Sequence, residues 1–421
     1  MTVSRKIAVI GAGVSGLVAA YVLGQRHRVT VFEEKAQPGG HAHTALVEDQ
    51  GRKLPVDTGF IVFNTLNYPL LCRLFDMLDV RSHASDMSFS VYCEQSGFEY
   101  NGANLNKIFS QRHNLVRPTV WRMLLDILRF NKEARCRLNQ TLSDDVTVGD
   151  FLSREHYSDS FLQRYLLPLG ASIWSCDTAG FRRFPIRFVI EFLNNHSLLQ
   201  LGGRPQWRTV TGSSRKYVEK LQNHLGERLR LGTSVHRVER QPHSVVVHWN
   251  NGQRETFDEV VMATHADTSM RTVADLDEEE IDVLGYFPYQ ENQAYLHTDT
   301  RVLPKRKRTW ASWNYRIPAT DQQAVSVTYN INLLQGIDTP RTYCVSLNQN
   351  DSIDARQVIR SMRYRHPLFL PGRNIAQRNH AALLRRRGIS YCGAYWGYGF
   401  HEDGVRSALS VCDAFEVEAP F

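Results

Sequence analysis

The chain has 421 residues, enough for two domains or for one large domain with a second inserted into it. It is 42% hydrophobic and 22% charged, an ordinary globular balance, and its formal charge of +7 is mild. The seven cysteines (72, 93, 136, 176, 344, 392 and 412) are scattered without a CxxC pair, which argues against a zinc site and a disulfide framework and suits a reducing cytoplasm. The basic clusters Lys305-Arg306-Lys307-Arg308, Arg385-Arg386-Arg387 and Arg182-Arg183 with Arg187 read as solvated faces, with no nucleic-acid module around them.

The chain opens on an apolar run, Lys6 to Ile10, followed by Gly11-Ala12-Gly13-Val14-Ser15-Gly16 and a small-residue helix from Leu17 to Leu23. A second apolar run, Val29 to Phe32, ends on Glu33-Glu34. This is a βαβ unit that holds a dinucleotide. Gly11 permits the tight turn, Gly13 lets the backbone approach a pyrophosphate, and Gly16 lets the helix pack against the strand. Glu33 lies seventeen residues past Gly16, where a carboxylate accepts hydrogen bonds from a ribose. Residues 7 to 24 carry no charge, but three glycines would weaken a membrane-spanning helix there, and that reading is rejected.

Next comes Pro38-Gly39-Gly40-His41-Ala42-His43-Thr44, then a hairpin of Thr44 to Val47 and Lys53 to Val56, then Asp57-Thr58-Gly59-Phe60-Ile61. Apolar spacing predicts a helix over 69–80. Strands are expected at Ser88 to Tyr92 and Phe98 to Tyr100. Pro118 opens a basic amphipathic helix with Trp121, Leu124, Leu125 and Leu128 on one side, read either as a core-facing element or as a membrane-surface helix. Several helices follow between Val148 and Leu201. A helix over Tyr217 to Leu225 precedes strands at Leu229 to Leu231 and Ser234 to Val238. A hairpin of Ser244 to Trp249 and Arg254 to Phe257 turns at Asn251-Gly252, and Val260 to His265 reads as a buried strand. Further strands include Ala324 to Tyr329 and Thr342 to Leu347. The end, Ile389 to Val405, runs from a strand through a glycine-broken loop into a helix from about Gly404 to Phe415.

The fingerprint, the acid after the second strand, the Gly-Gly pair and the D-x-G segment together resemble the FAD-binding half of the flavin amine oxidase superfamily. PGGHAHT, DTGFIVFN, SDMSFSV, LPLGASIWS, RPQWRTVTG and YCGAYWGYGFHEDG are more narrowly similar to a bacterial family of FAD-dependent, amine-oxidase-like oxidoreductases associated with cyclopropane-fatty-acyl-phospholipid synthases. The resemblance runs nearly end to end. It implies an α/β fold: a Rossmann-like FAD-binding domain (glutathione-reductase/amine-oxidase type) made of 1–82, 205–268 and 376–421, with an inserted α+β substrate domain of 83–204 and 269–375.

The resemblance also implies a cofactor site. FAD would be held by Gly11, Ala12, Gly13, Val14, Ser15, Gly16, Glu33, Glu34, Gly40, His41, Thr58, Gly59, Phe60, Ile61, Val235, Ala263, Glu402, Gly404 and Val405. Val235 would meet the adenine side through its backbone. Gly404 and Val405 would begin the last helix, whose amides face the flavin pyrimidine. His41 stands where the superfamily often has arginine, and Cys392 does not match the pattern that carries covalent flavin, so non-covalent FAD is expected. His41 and His43 lack further ligands at supporting spacing, and no metal is expected.

Flavin supplies the redox chemistry, so catalytic side chains are hard to read from sequence. His401 and Glu402 are candidates for relaying protons or polarising the ring. The alternative for Glu402 is that it caps the final helix or binds ribityl hydroxyls. Tyr395, Trp396 and Tyr398 are candidates for framing an amine or for packing the ring, and Tyr68 and Trp174 for lining a substrate cavity. Three activities fit: dehydrogenation or remodelling of phospholipid acyl chains, oxidation of a soluble amine or amino acid, and a flavin-dependent isomerase or flavoprotein partner of a lipid methyltransferase. The expected place is the cytoplasm, at or near the inner face of the membrane, with a lipid or other small molecule as substrate and no nucleic acid.

Overall fold

The computed structural model describes residues 3–138, 145–200, 202–250, 252–319, 326–349 and 352–421. Five short strands form a parallel sheet in the order Leu229–Arg230, Arg28–Phe32, Lys6–Ile10, Glu259–Met262, Ile389–Tyr391. Ala8 lies level with both Thr30 and Val260. The central strands are continuous apolar runs because helices cover one face and a three-stranded meander the other. On one side the helix Val14–Leu23 packs with the closing helix His401–Ala414 around Leu17, Val18, Val22, Ala408 and Val411. On the other, Val245, Val247 and Phe257 of the meander meet Ala8, Ile10 and Val260.

A second, seven-stranded sheet runs in the order Val358–Pro367, Tyr289–His297, Cys344–Leu347, Val327–Asn330, Trp313–Ile317, Phe89–Cys93, Glu99–Asn101. It is antiparallel except where Trp313–Ile317 runs beside Phe89–Cys93. Ala324 and Val325 of the expected Ala324 to Tyr329 strand lie outside the described residues, as do Asn251 of the expected turn and Leu201. A helical layer contributes a third core, in which Phe151, Phe161, Trp174, Phe181, Phe184, Phe188 and Phe192 interlock.

Two boundaries and one buried face differ from the periodicity. The helix expected over 69–80 is Pro69–Met77, because Asp79 adopts a left-handed conformation at φ 48° and ends it. The closing helix begins at His401 rather than near Gly404. Asp403 explains the difference: its Oδ2 accepts from the amides of Tyr398 and Phe400 and so caps the helix from inside its first turn. The core-facing reading of the basic helix, Pro118–Leu138, placed the wrong side inward. Its buried side carries Val120, Met123, Phe130 and Ala134, while Trp121, Leu125 and Leu128 face out. Among the described residues no helix is long and apolar enough to cross a membrane.

Candidate active site

The glycine-rich turn has the shape a dinucleotide needs. Gly11 sits at φ +102°, and a Cβ there would meet Ala263 O at 2.9 Å. A Cβ on Gly16 would run into Gly11 O, so only glycine lets this helix start so close to its strand. Gly13 differs: no atom lies within 4 Å of its Cβ direction, which leaves open space in front of the turn. Gly39, at φ +116°, donates its amide to Ala12 O, and Gly40 lies against Gly13 Cα. The two glycine segments therefore form one cradle, with Val14 and Ser15 at the helix N-terminus where amides attract phosphate.

Glu33, at the end of the second strand, is buried beside this cradle. Its Oε2 accepts from Ala12 N at 2.7 Å and its Oε1 from Lys35 N at 3.0 Å, while burial raises its pKa. Glu34 is exposed. Val235 is brought to the same edge, since Thr233 N donates to Glu33 O and Gly232 N to Lys35 O. Ala263 is bonded to Ile10 O and packs on Gly11 and Gly16.

A second group forms where the parallel sheet meets the large sheet. His41 O accepts from Phe60 N at 2.8 Å, and Gly59 packs so close to that carbonyl that a Cβ would collide with it. Thr58 Oγ1 lies 2.6 Å from His43 Nδ1 and 2.8 Å from Tyr364 Oη. Thr209 Oγ1 donates to Ile61 O, and the Ile61 side chain enters the core under the large sheet. Around His41 stand Tyr364, His366 and His265, with ring centroids 5.2, 5.5 and 5.9 Å away. His41 Nε2 is buried without a protein partner. Asn292 donates to His366 Nδ1 at 2.9 Å, fixing the proton of that ring on Nε2, and also donates to Ser175 O at 2.8 Å. His265 stacks on Tyr289 at 4.4 Å.

Burial holds all these rings neutral. His41 is lowered to about 4, and His265 and His366 to about 3, with burial the first cause and neighbouring cations or imidazoles adding to it. His265, His366, Asn292 and Tyr364 were not singled out by sequence. Tyr364 and His366 share the strand Val358–Pro367, Asn292 lies on the neighbouring strand Tyr289–His297, and His265 stands just before the helix Ala266–Thr272. They belong to no motif and converge through the sheet register. His265 alone carried a signal, as the last residue of the Val260 to His265 run.

The structure changes several expected roles. Glu402 is not a free carboxylate: its Oε1 and Oε2 accept from the amides of Leu70 and Leu71, at 3.0 Å each, and so cap the helix Pro69–Met77 rather than the helix it belongs to. His401 lies flat on Phe60, with centroids 3.7 Å apart, and its Nε2 is 3.2 Å from Tyr217 Oη. Burial, with His41 adding to it, lowers its pKa to about 3, so it does not change charge near neutral pH. Trp396 stacks on His380 at 4.1 Å and meets Phe287 edge-on, whereas Tyr398 stacks on Phe188 at 5.1 Å in the helical core. Facing two different cores, they do not frame one substrate. Tyr395 packs beside Trp396, Tyr68 lies against Phe63 and Trp207, and Trp174 sits among four phenylalanines, so all three are packing residues. Gly404 is where the closing helix touches the fingerprint helix, with a Cβ reaching Val14 Cγ1 at 2.7 Å and Ser15 Oγ at 2.9 Å, and Val405 is buried beside it. Cys392 is buried under the parallel sheet, its thiol pushed up to about 12.

An open space before Gly13, paired glycine turns, a helix N-terminus and an acid at the second strand's end fit a dinucleotide. The fold and this cradle define a dinucleotide-binding protein. Residues 14–342 match the flavin containing amine oxidoreductase family, and the chain belongs to that family. A search of curated proteins found no match. Among solved structures the chain is similar to the cyclohexylamine oxidase of Brevibacterium oxydans, at 14% identity over 99% of this chain and 100% of that one, with a TM-score of 0.71. It is also similar to a CLA-producing fatty acid isomerase from P. acnes, at 15% identity over 98% and 100%, with a TM-score of 0.70. Putrescine oxidase bound to putrescine gives 14% identity, 99% coverage of both chains and a TM-score of 0.68. These likenesses establish the fold. The protein is an FAD-dependent oxidoreductase.

Proposed function

We propose that this enzyme oxidises an uncharged aliphatic substrate, and that its substrate class is the acyl chains of membrane phospholipids, unsaturated, methylated or cyclopropane-bearing. The observation that carries the reading is the separation of Trp396 and Tyr398 into two cores, so that these two rings do not together frame an amine. The neutral imidazoles of His41, His265 and His366 add to it: they offer hydrogen bonds but no negative charge to hold an ammonium group. The fold-level likeness to a fatty acid isomerase supports an acyl substrate, and the likeness to cyclohexylamine oxidase makes amine oxidation the competing outcome.

A bound FAD would supply the two-electron acceptor for a substrate hydride, the second hydrogen leaving as a proton as the double bond forms and the artificial acceptor reoxidising the flavin. Gly13, the amides of Val14 and Ser15, and Glu33 would hold its dinucleotide end. His41 would offer its unpartnered Nε2 as a polar contact, with Tyr364 and His366 fixing the ring. Asn292 keeps the His366 proton on Nε2. His401 stays uncharged against Phe60 and keeps that side of the site dry. The proposal is tested by incubating the holoenzyme with dispersed unsaturated phospholipid and an artificial electron acceptor, then weighing the released fatty acids. Loss of two hydrogen atoms from the acyl chain is expected. Double-bond migration at unchanged mass would point to an isomerase, and turnover of amines alone would contradict the reading.

A further inference from the structure

The described residues hold fourteen exposed large apolar side chains, and six of them, Leu105, Leu115, Val116, Trp121, Leu125 and Leu128, fall within one stretch of the chain. On the helix Pro118–Leu138 the residues Trp121, Leu125 and Leu128 follow one another at spacings of four and three, so they form a single stripe. Their exposures are 47%, 61% and 47%, while Val116 just before the helix is 83% exposed. The opposite side of the helix is fixed in place: Val120 and Met123 enter the core of the seven-stranded sheet, and Phe130 and Ala134 the helical core. The stripe is therefore presented outward by a rigidly seated element. Trp121 ties the preceding turn into the same face, since its Nε1 donates to Leu115 O at 2.8 Å and its ring lies 5.3 Å from Phe109.

The charge around this stripe is lopsided. Residues 102–138 hold eight lysines and arginines against two acids, a surplus of six, where the whole chain has a surplus of seven. Neither acid is available to oppose an anion. Asp126 is buried, accepts from Ser158 N and lies 3.5 Å from Arg122 Nε, and Glu133 is engaged by Arg129 and Tyr157. Glu155 engages Arg129 and Arg137, so among the described residues Arg117, Lys132 and Arg135 are left as the free cations of the rim. By helical spacing Arg122 and Arg129 flank the stripe on one side and Arg135 on the other, with Lys132 continuing it and Arg117 just before its start. An apolar stripe with an indole and a cationic rim matches the chemistry of an anionic bilayer surface: hydrocarbon below, phosphate around, and Trp at the boundary.

We propose that the helix Pro118–Leu138, with the turn Arg112–Val116 before it, is a docking surface for anionic membrane lipid. Trp121, Leu125, Leu128 and Val116 enter the head-group boundary, and Arg117, Lys132 and Arg135 meet lipid phosphates. The surface stands independently of which substrate is oxidised, because none of these residues lies in the flavin cradle or the histidine cluster.

The holoenzyme is sedimented with vesicles of phosphatidylglycerol and phosphatidylcholine, and with vesicles of phosphatidylcholine alone. It is expected to bind the anionic vesicles, to bind neutral ones at least about tenfold more weakly, and to be released as salt rises. The triple variant Trp121→Ser, Leu125→Ser, Leu128→Ser loses binding by about tenfold or more, while Arg117→Glu with Lys132→Glu loses mainly the preference for anionic lipid. Leu125 and Leu128 make no tie like that of Trp121 to Leu115 O, so the double variant Leu125→Ser, Leu128→Ser keeps the wild-type melting temperature and also loses binding. An unchanged visible flavin spectrum reports the folding of the triple variant, in which Leu115 O loses its Trp121 donor. Equal sedimentation of wild type and triple variant overturns the proposal, as does absence of binding to anionic vesicles. A dimer in solution that the triple variant dissociates also overturns it, giving the face to a second copy. None of these results touches the acyl-chain reading, which is decided by product analysis on dispersed lipid.

Discussion

At the scale of single residues, the two inner glycines of the fingerprint separate folding from cofactor binding. Gly16→Ala places a methyl against Gly11 O and Ala263, and is expected to cost about 3 kcal/mol or more of stability. Gly13→Ala points into open space, so the apoprotein should melt as wild type does while FAD affinity falls tenfold or more, read by fluorescence titration. Glu402 makes a parallel case. Glu402→Gln keeps one acceptor and replaces the other with a donor facing the Leu71 or Leu70 amide, so it is expected to cost about 1 to 3 kcal/mol in a thermal melt. The rate of flavin reduction per folded molecule should be unchanged, and a large loss there would return Glu402 to the chemistry.

At the scale of elements, the βαβ unit was legible because its signals are local. Glycines, an apolar run and an acid at fixed spacing have one physical meaning, and Gly11, Gly13, Gly16 and Glu33 stand together as that meaning requires. The aromatic-rich loop before the closing helix was not legible in the same way. Trp396 and Tyr398 are two residues apart, but the chain between them turns at Gly397, and each side chain follows a different layer of packing. The capping role of Glu402 was hidden for a similar reason, because the helix it caps lies more than three hundred residues earlier in the chain. The histidine cluster required the register of Tyr289–His297 on Val358–Pro367, which sets Asn292 level with Tyr364, and no periodicity encodes that pairing. Asp57 joins elements in the same non-local way. It accepts from Thr44 Oγ1 and from Ser214 N and Oγ, and Gln335 donates to it from the other sheet's side.

For the whole molecule, buried titratable groups set the pH response. His41, His43, His196, His265, His297, His366 and His401 are all lowered to about 3 or 4, with burial as the first cause. A folded pKa below the unfolded value near 6.5 means that stability is fully present above pH 6.5 and is lost as pH falls toward 4. His297 is fully buried, which lowers its pKa against the pull of the nearby Asp299 carboxylate; its Nδ1 accepts from Asp299 N and its Nε2 lies 2.8 Å from Ser346 Oγ. Asp57 and Asp403, raised to about 6 by burial, act oppositely, since their cost is relieved as pH falls from about 6 toward 4. Between pH 7 and 5 a fully buried histidine loses about 2 kcal/mol and each aspartate regains about 1 kcal/mol. Seven histidines outweigh two aspartates, so the melting temperature of the apoprotein is expected to fall from pH 7 to 5, and a rise would contradict these assignments.

The most direct test of the central claim is the visible spectrum of the holoenzyme under anaerobic conditions, recorded as unsaturated phospholipid and then amines are added. Flavin bands are expected to bleach with phospholipid and to be indifferent to amines. Bands that bleach with an amine and stay oxidised with phospholipid would contradict that claim.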